Sequence, residues 1–171
     1  MTTHYLKTTT SSMDELKHLA QQGAPTGTTV VAEKQTKGRG QQGKPWFSDE
    51  NSLTFSILYR PDKLIKDIAR LTKKISNTVI DSIQEIINIS VQLKLPNDLL
   101  VNNKKIGGIL IEATTQGENT NYLIIGIGLN INNKKFPDDI KDIASSLKIE
   151  TGKTINKEVL LNKIRDKILN N

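Results

Sequence analysis

Gln35-Thr36-Lys37-Gly38-Arg39-Gly40-Gln41-Gln42-Gly43-Lys44-Pro45-Trp46 is the stretch on which the reading of this chain turns. It gathers three glycines, three cations and the only tryptophan. The β-branched run 28–32 ahead of it reads as a strand, and so does 53–59 behind it. The stretch is therefore a glycine-rich loop between two strands. Glycine lets backbone N–H groups approach a ligand closely. Successive N–H groups beside Arg39 and Lys44 suit a phosphate or carboxylate. Trp46 offers a flat face for a ring. The expectation is a loop that wraps a small anionic ligand.

Two familiar motifs nearly fit and are refused. Gly38, Gly40 and Gly43 spell G-x-G-x-x-G, but a dinucleotide fold needs a helix opening at the third glycine. Here Pro45 through Asn51 show no helical period, and a strand follows. Gly38 to Lys44 also spells G-x-x-x-x-G-K, yet Pro45 stands where a phosphate loop needs a hydroxyl for magnesium.

The other limits are broad. A chain of 171 residues is one domain, long enough to hide roughly 70% of its unfolded surface. It has no cysteine, which excludes disulfides and thiolate metal sites and fits a cytoplasmic location. His4 and His18 are too few for a histidine metal site. No apolar run reaches the roughly 18 residues of a membrane span, and the first residues begin no signal peptide. The net charge of +6 comes from lysines spread along the chain, with only four arginines. That is a surface composition rather than a nucleic-acid footprint, and no DNA-binding motif appears.

Along the chain, 4–8 is a first strand. Ser12 caps a helix over 13–20, with Glu15 completing a capping box. Apolar residues from Leu64 to Ile87, three and four apart, make a long amphipathic helix. Residues 91–95 form a short strand, and Pro96-Asn97-Asp98 a turn. Asn102-Asn103 makes a tight hairpin between flanking strands. Gly107-Gly108 inside a strand marks close approach of a ligand or another backbone, with Lys105 beside them. The nearly all-apolar run 122–132 is a central buried strand whose glycines signal crowding. Asn130 and Asn132 share one of its faces. Residues 136–139 turn, and a last amphipathic helix over 154–169 is capped by Thr154 or Asn156.

Five motifs then stand in order: Ser11-Ser12-Met13, the loop 35–46, Lys94-x-Pro96-Asn97-Asp98, Lys105-x-Gly107-Gly108, and Gly126-x-Gly128-x-Asn130-x-Asn132. Together they resemble the biotin protein ligases, over about 8–132. The resemblance implies an α+β fold, a mixed sheet backed by helices, like that of class II aminoacyl-tRNA synthetases. It also implies two half-reactions. Biotin and MgATP give biotinyl-adenylate and pyrophosphate, and a lysine of a biotin carboxyl carrier domain then captures the biotinyl group.

By that resemblance Ser11, Ser12, Met13, Gln35, Gly38, Gly40, Gln41, Gly107 and Gly108 line the biotin pocket. Arg39 and Lys105 are the catalytic cations and also touch biotin. Lys44, Trp46, Lys94, Asn97, Asp98 and Asn130 take ATP. No metal site made of protein alone is implied; magnesium arrives with ATP, near Asp98. Two anions must meet, so cations must screen them before attack.

Departures from the family pattern are visible. Gln41 and Gln42 replace frequent arginines, which weakens the loop's hold on an adenylate. Met13 replaces a frequent Asn, and Leu95 a frequent Trp. The whole of 1–171 reads as one catalytic domain, with neither the DNA-binding domain nor the small C-terminal β-barrel of longer members. A homodimer is left open. The rival readings are a lipoate–protein ligase of the same chemistry and a binding module without turnover.

Overall fold

The structure, a computed structural model, describes residues 1–117 and 119–170. Strand β1 (Thr3–Thr9) leads into helix α1 (Ser12–Gln21) and strand β2 (Thr29–Gln35). The chain then passes through the glycine loop to β3 (Ser52–Tyr59) and the long helix α2 (Ile68–Ile86). Four strands follow: β4 (Gln92–Lys94), β5 (Asp98–Val101), β6 (Lys104–Gln116) and β7 (Asn119–Asn130). Helices α3 (Leu147–Thr151) and α4 (Lys157–Leu169) finish it.

The described strands form one sheet in the order β1-β2-β3-β7-β6-β5-β4. β1 runs parallel to β2 and every other neighbour pair is antiparallel, so the sheet is mixed, as expected. β3 returns beside β2 with Val31 opposite Phe55. A hairpin-like return of this kind is what the dinucleotide and phosphate-loop readings could not accommodate.

Period two divides every central strand between two layers. Leu53, Phe55 and Ile57 of β3, with Leu123, Ile125, Ile127 and Leu129 of β7, join the main core. There they meet Val79 and Ile83 of α2 and Leu160, Leu161 and Ile164 of α4. The opposite layer is smaller: Met13, Leu16 and Ala20 of α1 cover Val30, Leu58, Tyr122 and Ile124. Beyond α1 that second face is uncovered, and the cleft lies there. Among the described residues no helix is long and apolar enough to cross a membrane.

Several boundaries differ from expectation. Ser11, not Ser12, caps α1: its backbone is extended, and its Oγ accepts the N–H of Met13 at 3.3 Å. Glu15 completes no capping box, because its carboxylate accepts the Thr9 hydroxyl at 2.7 Å. Helix α2 starts at Ile68 rather than Leu64. Asp67 accepts the N–H of Arg70 at 2.8 Å, and the Ile65 N–H is already given to Thr120 Oγ1. Asn156 caps α4, while Thr154 Oγ1 accepts from Lys148. Helix α3 was not expected, although Ser146 at its start and Gly152, left-handed at its end, are its written signals. Asn102 and Asn103 both take positive φ, as the tight hairpin required.

Candidate functional site

The glycine loop is itself a small ribbon. Gly40 N–H donates to Lys44 C=O at 2.7 Å, and Trp46 N–H to Gly38 C=O at 2.9 Å. Between them Gln41–Gly43 makes one tight turn, with Gln42 at φ 57°. The root of the ribbon is fastened to the start of α1: Lys37 N–H bonds Thr10 C=O, and Gln35 Oε1 accepts the N–H of Ser12 at 2.7 Å. The loop thus roofs a cleft of about 590 Å³ on the uncovered face of the sheet.

One end of the cleft is a hydrogen-bonding pocket. Ser11, Ser12, Met13 and Gln35 line it. Ser12 Oγ lies 2.8 Å from Oγ of the buried Ser56 behind it. Two glycines of β7 make its floor. A β-carbon on Gly126 would stand 2.6 Å from Met13 Sδ, and one on Gly128 2.5 Å from the Trp46 ring. No other residue leaves room for those two side chains, so the crowding expected in this strand is real.

The other end carries charge. Strict alternation would put Lys105 on the face opposite Gly108. A register shift in the β5–β6 pair intervenes: Leu99 faces Gly107 while Leu100 faces Lys105, which makes Ile106 an extra residue. This bulge re-aims Lys105. Its Nζ comes within 3.7 Å of where a Gly108 β-carbon would stand, and 5.6 Å from the centre of the Trp46 ring. It pairs with Asp98 at 2.6 Å. Asp98 is the acidic residue of the cleft lining, and Lys44 and Lys94 stand exposed at the rim.

Not every expected residue reaches the wall. Gly40, Gln41 and Gly108 line the cleft, but Gly38 and Gly107 do not. Gly38 makes room for the Gln35 amide and the Trp46 carbonyl, and Gly107 for Leu129 and the Gly128 carbonyl. Their constraint is packing. Asn97 lines the cleft, yet its amide donates to Ile109 C=O at 2.8 Å. Asn130 lines it too, and its amide holds Ser145 C=O at 3.0 Å. Asn132 is turned away and brackets Ile155 through both amide atoms.

Of the lining, the sequence reading missed Thr54 and the segment 136–144, whose Phe136, Ile140 and Ile143 form an apolar lip. It also missed Ser56, Asp14 and Glu112, which bond to the lining residues Ser12 and Arg39. Alternation from Gly108 through Leu110 to Glu112 was the signal for Glu112. Two buried polar atoms in the cleft lack partners: Thr54 Oγ1 and Trp46 Nε1. Buried polar groups of this kind ask for a hydrogen-bonding ligand or water. Arg39 also lines the cleft, with its guanidinium paired to Asp14 and Glu112. Its guanidinium is held still more firmly protonated, first by the bond to Asp14, then by Glu112 against the opposing effect of burial.

The cleft thus joins a hydrogen-bonding end to an end where a cation lies beside an indole. The model of the biotin/lipoate A/B protein ligase family matches residues 5–130, and the chain belongs to that family. Among curated relatives, the bifunctional ligase/repressor BirA of Bacillus subtilis is 41% identical over 151 residues, covering 86% of this chain and 46% of the relative. The biotin–[acetyl-CoA-carboxylase] ligase of Paracoccus denitrificans is 27% identical, covering 77% of this chain and 57% of the relative. This chain therefore spans about half the length of those relatives. The biotin protein ligase of Aquifex aeolicus in complex with biotin and ATP superposes with a TM-score of 0.87 at 34% identity, over 99% of this chain and 69% of that one. The Leishmania major enzyme in complex with biotinyl-5-AMP gives 0.79 at 29%, over 98% and 73%. The mixed α+β fold expected from the sequence is theirs.

Proposed function

We propose that this chain is the catalytic part of a biotin protein ligase. The observation that carries the reading is the joining, in one cleft, of the Ser11–Gln35 pocket to Lys105 and Trp46. Biotin's ureido ring is polar on its rim and suits the hydroxyls and amide of Ser11, Ser12 and Gln35. Its carboxylate then points along the cleft toward Lys105. ATP enters from the rim, its phosphates toward Lys105, Lys44 and Lys94, its ring against Trp46 and the lip of Ile140 and Ile143.

In the first step a carboxylate oxygen attacks the α-phosphorus, and the bond to pyrophosphate breaks. Both reactants are anions. Lys105 leaves Asp98 and screens them as charge builds on the phosphate oxygens. Asp98, so released, faces the magnesium that comes with the nucleotide. Holding both reactants in line converts a bimolecular collision into a local one. In the second step the neutral amine of a carrier-domain lysine attacks the biotinyl carbonyl, and AMP leaves. No enzyme nucleophile is required. Asn97, Asn130, Gly40, Gln41 and Gly108 shape the wall, and Met13 over Gly126 closes the pocket's end. Gln41 and Gln42 bring no charge to the loop tip, so the adenylate is held less tightly and some escapes. The partner is the biotin carrier domain of a carboxylase, the compartment the cytoplasm.

The test is biotin-dependent exchange of labelled pyrophosphate into ATP, run beside lipoate. Exchange with biotin alone supports the reading. Exchange with lipoate alone, or binding of biotin without exchange, overturns it.

A further inference from the structure

Arg39 and Lys105 were expected to serve alike, yet their surroundings differ. A guanidinium has five N–H donors. Arg39 has a partner for each. Nε donates to Glu112 Oε1 at 3.1 Å and Nη2 to Glu112 Oε2 at 3.3 Å. Nη1 donates to Asp14 Oδ2 at 3.0 Å, and Nη2 lies 2.8 Å from Asp14 Oδ1. The remaining Nη1 donor reaches Ser11 Oγ at 3.4 Å. The set is two forks on adjacent edges of the guanidinium that share Nη2, the paired geometry in which Arg binds carboxylates most selectively. One cation between two carboxylates leaves the group negative by one charge. A substrate anion directed at Arg39 would have to displace a bonded carboxylate and sit beside another. Lys105, by contrast, has one acidic partner in Asp98, and its amine faces the cleft.

The three partners come from three elements: Asp14 from the first turn of α1, Arg39 from the glycine loop, Glu112 from β6. Ser11, which takes the fifth donor, is also the cap of α1 and a wall of the pocket. We infer that Arg39 is a clamp rather than an anion contact, and that Asp14 and Glu112 are positioning residues that pin the loop over the junction of the two reactants. This rests on the biotin ligase reading for the identity of the reactants, but the clamp itself is a property of the ligand-free chain.

The two roles predict opposite signs. If Arg39 contacted substrate directly, Asp14→Asn and Glu112→Gln would remove its competitors and tighten biotin binding, and Arg39→Lys would keep much of the activity. As a clamp, each carboxamide variant loosens the loop. The expected result is a rise in the KM for biotin of roughly tenfold for either variant, the size of one charge-assisted bond discounted for partial exposure, with kcat little changed. Arg39→Lys should fall as far as Arg39→Ala, because one ammonium cannot fork two carboxylates. Asp14→Asn added to Arg39→Ala should cost nothing more. Melting curves run alongside should coincide with the parent's, which a general folding defect would not allow.

A second arm needs no substrate. Tryptic cleavage after Arg39 in ligand-free Asp14→Asn and Glu112→Gln should run roughly tenfold faster than in the parent, since cleavage follows the open population. Unchanged cleavage in both variants, or tighter biotin binding with an active Arg39→Lys, overturns the clamp. A parent protein inert toward biotin would overturn the ligase reading, and the cleavage arm would still judge the clamp.

Discussion

The two faces of the central sheet are made by the same strands and do opposite things. Toward α2 and α4, β3 presents Leu53, Phe55 and Ile57, all fully or nearly buried in apolar contact. Toward the cleft the alternate residues are Ser52, Thr54 and Ser56. In β7 the core side reads Ile125, Ile127, Leu129 and the cleft side Gly126, Gly128, Asn130. One face is filled to a dense core, while the other is emptied by small residues so that side chains from elsewhere, and a ligand, can occupy it. The dense core is thus concentrated in one layer and the cleft in the other, at a separation of one residue.

The largest break in that contrast should come from Phe55→Ala. It leaves a cavity in the main core and should lower stability by roughly 3–5 kcal/mol in chemical denaturation. Binding of either ligand should weaken only as far as the folded fraction falls. A loss under 1 kcal/mol would mean that the core face is not the scaffold.

Lys105→Ala is the counterpart on the cleft side. Removing a cation from the meeting point of carboxylate and phosphate should cost on the order of 3–4 kcal/mol of transition-state stabilisation, roughly 10²–10³ in adenylation rate. The melting temperature should hold. Pyrophosphate exchange at the parental rate would remove Lys105 from the chemistry.

Ser56→Ala sharpens the division further, since it deletes the hydroxyl facing Ser12 without emptying the core. A net loss of about 1 kcal/mol is expected, read as a weaker biotin affinity with an unchanged requirement for ATP. Equal weakening for both ligands would argue that the Ser12 end is not the biotin end.

The smallest effect belongs to the outer surface of the core layer. Glu85 receives Lys163 at 2.7 Å and also Lys167, and these bonds hold its carboxyl down to about 2 from 4.5. A depressed folded pKa stabilises in full above the unfolded value and is lost as pH falls toward 2. Glu85→Gln should therefore melt slightly lower at neutral pH, and the gap should close near pH 2 or in high salt. A gap that persists in both conditions would point to packing instead of charge.

Much of this division was legible beforehand, because alternation and helical spacing are printed in the chain. The loop 35–46 announced itself through glycine and charge, and the apolar run in β7 through composition. What escaped depends on spacing in three dimensions. The bulge at Ile106 has no sequence marker, so the aim of Lys105 was right for a reason that alternation contradicts. Asp14 lies in the first turn of α1 and Glu112 within β6, far apart in the chain. Nothing local says that they share one arginine. Gly38 and Gly107 were taken for ligand contacts because a glycine cleared for a ligand and one cleared for a neighbouring side chain look the same in sequence.

Trp46 lies on the cleft floor over Gly128, with its indole nitrogen unpartnered and an ammonium within 6 Å of the ring. It is also the chain's sole tryptophan. Light absorbed at the red edge of the protein spectrum is therefore emitted from one place, and that place is the cleft. The folded scaffold is dark at that wavelength. A ligand that accepts a hydrogen bond from the indole or moves Lys105 changes the colour and yield of all the emission at once. The protein carries its own single-channel optical sensor of occupancy, and stopped-flow traces can resolve the arrival of each reactant without a dye.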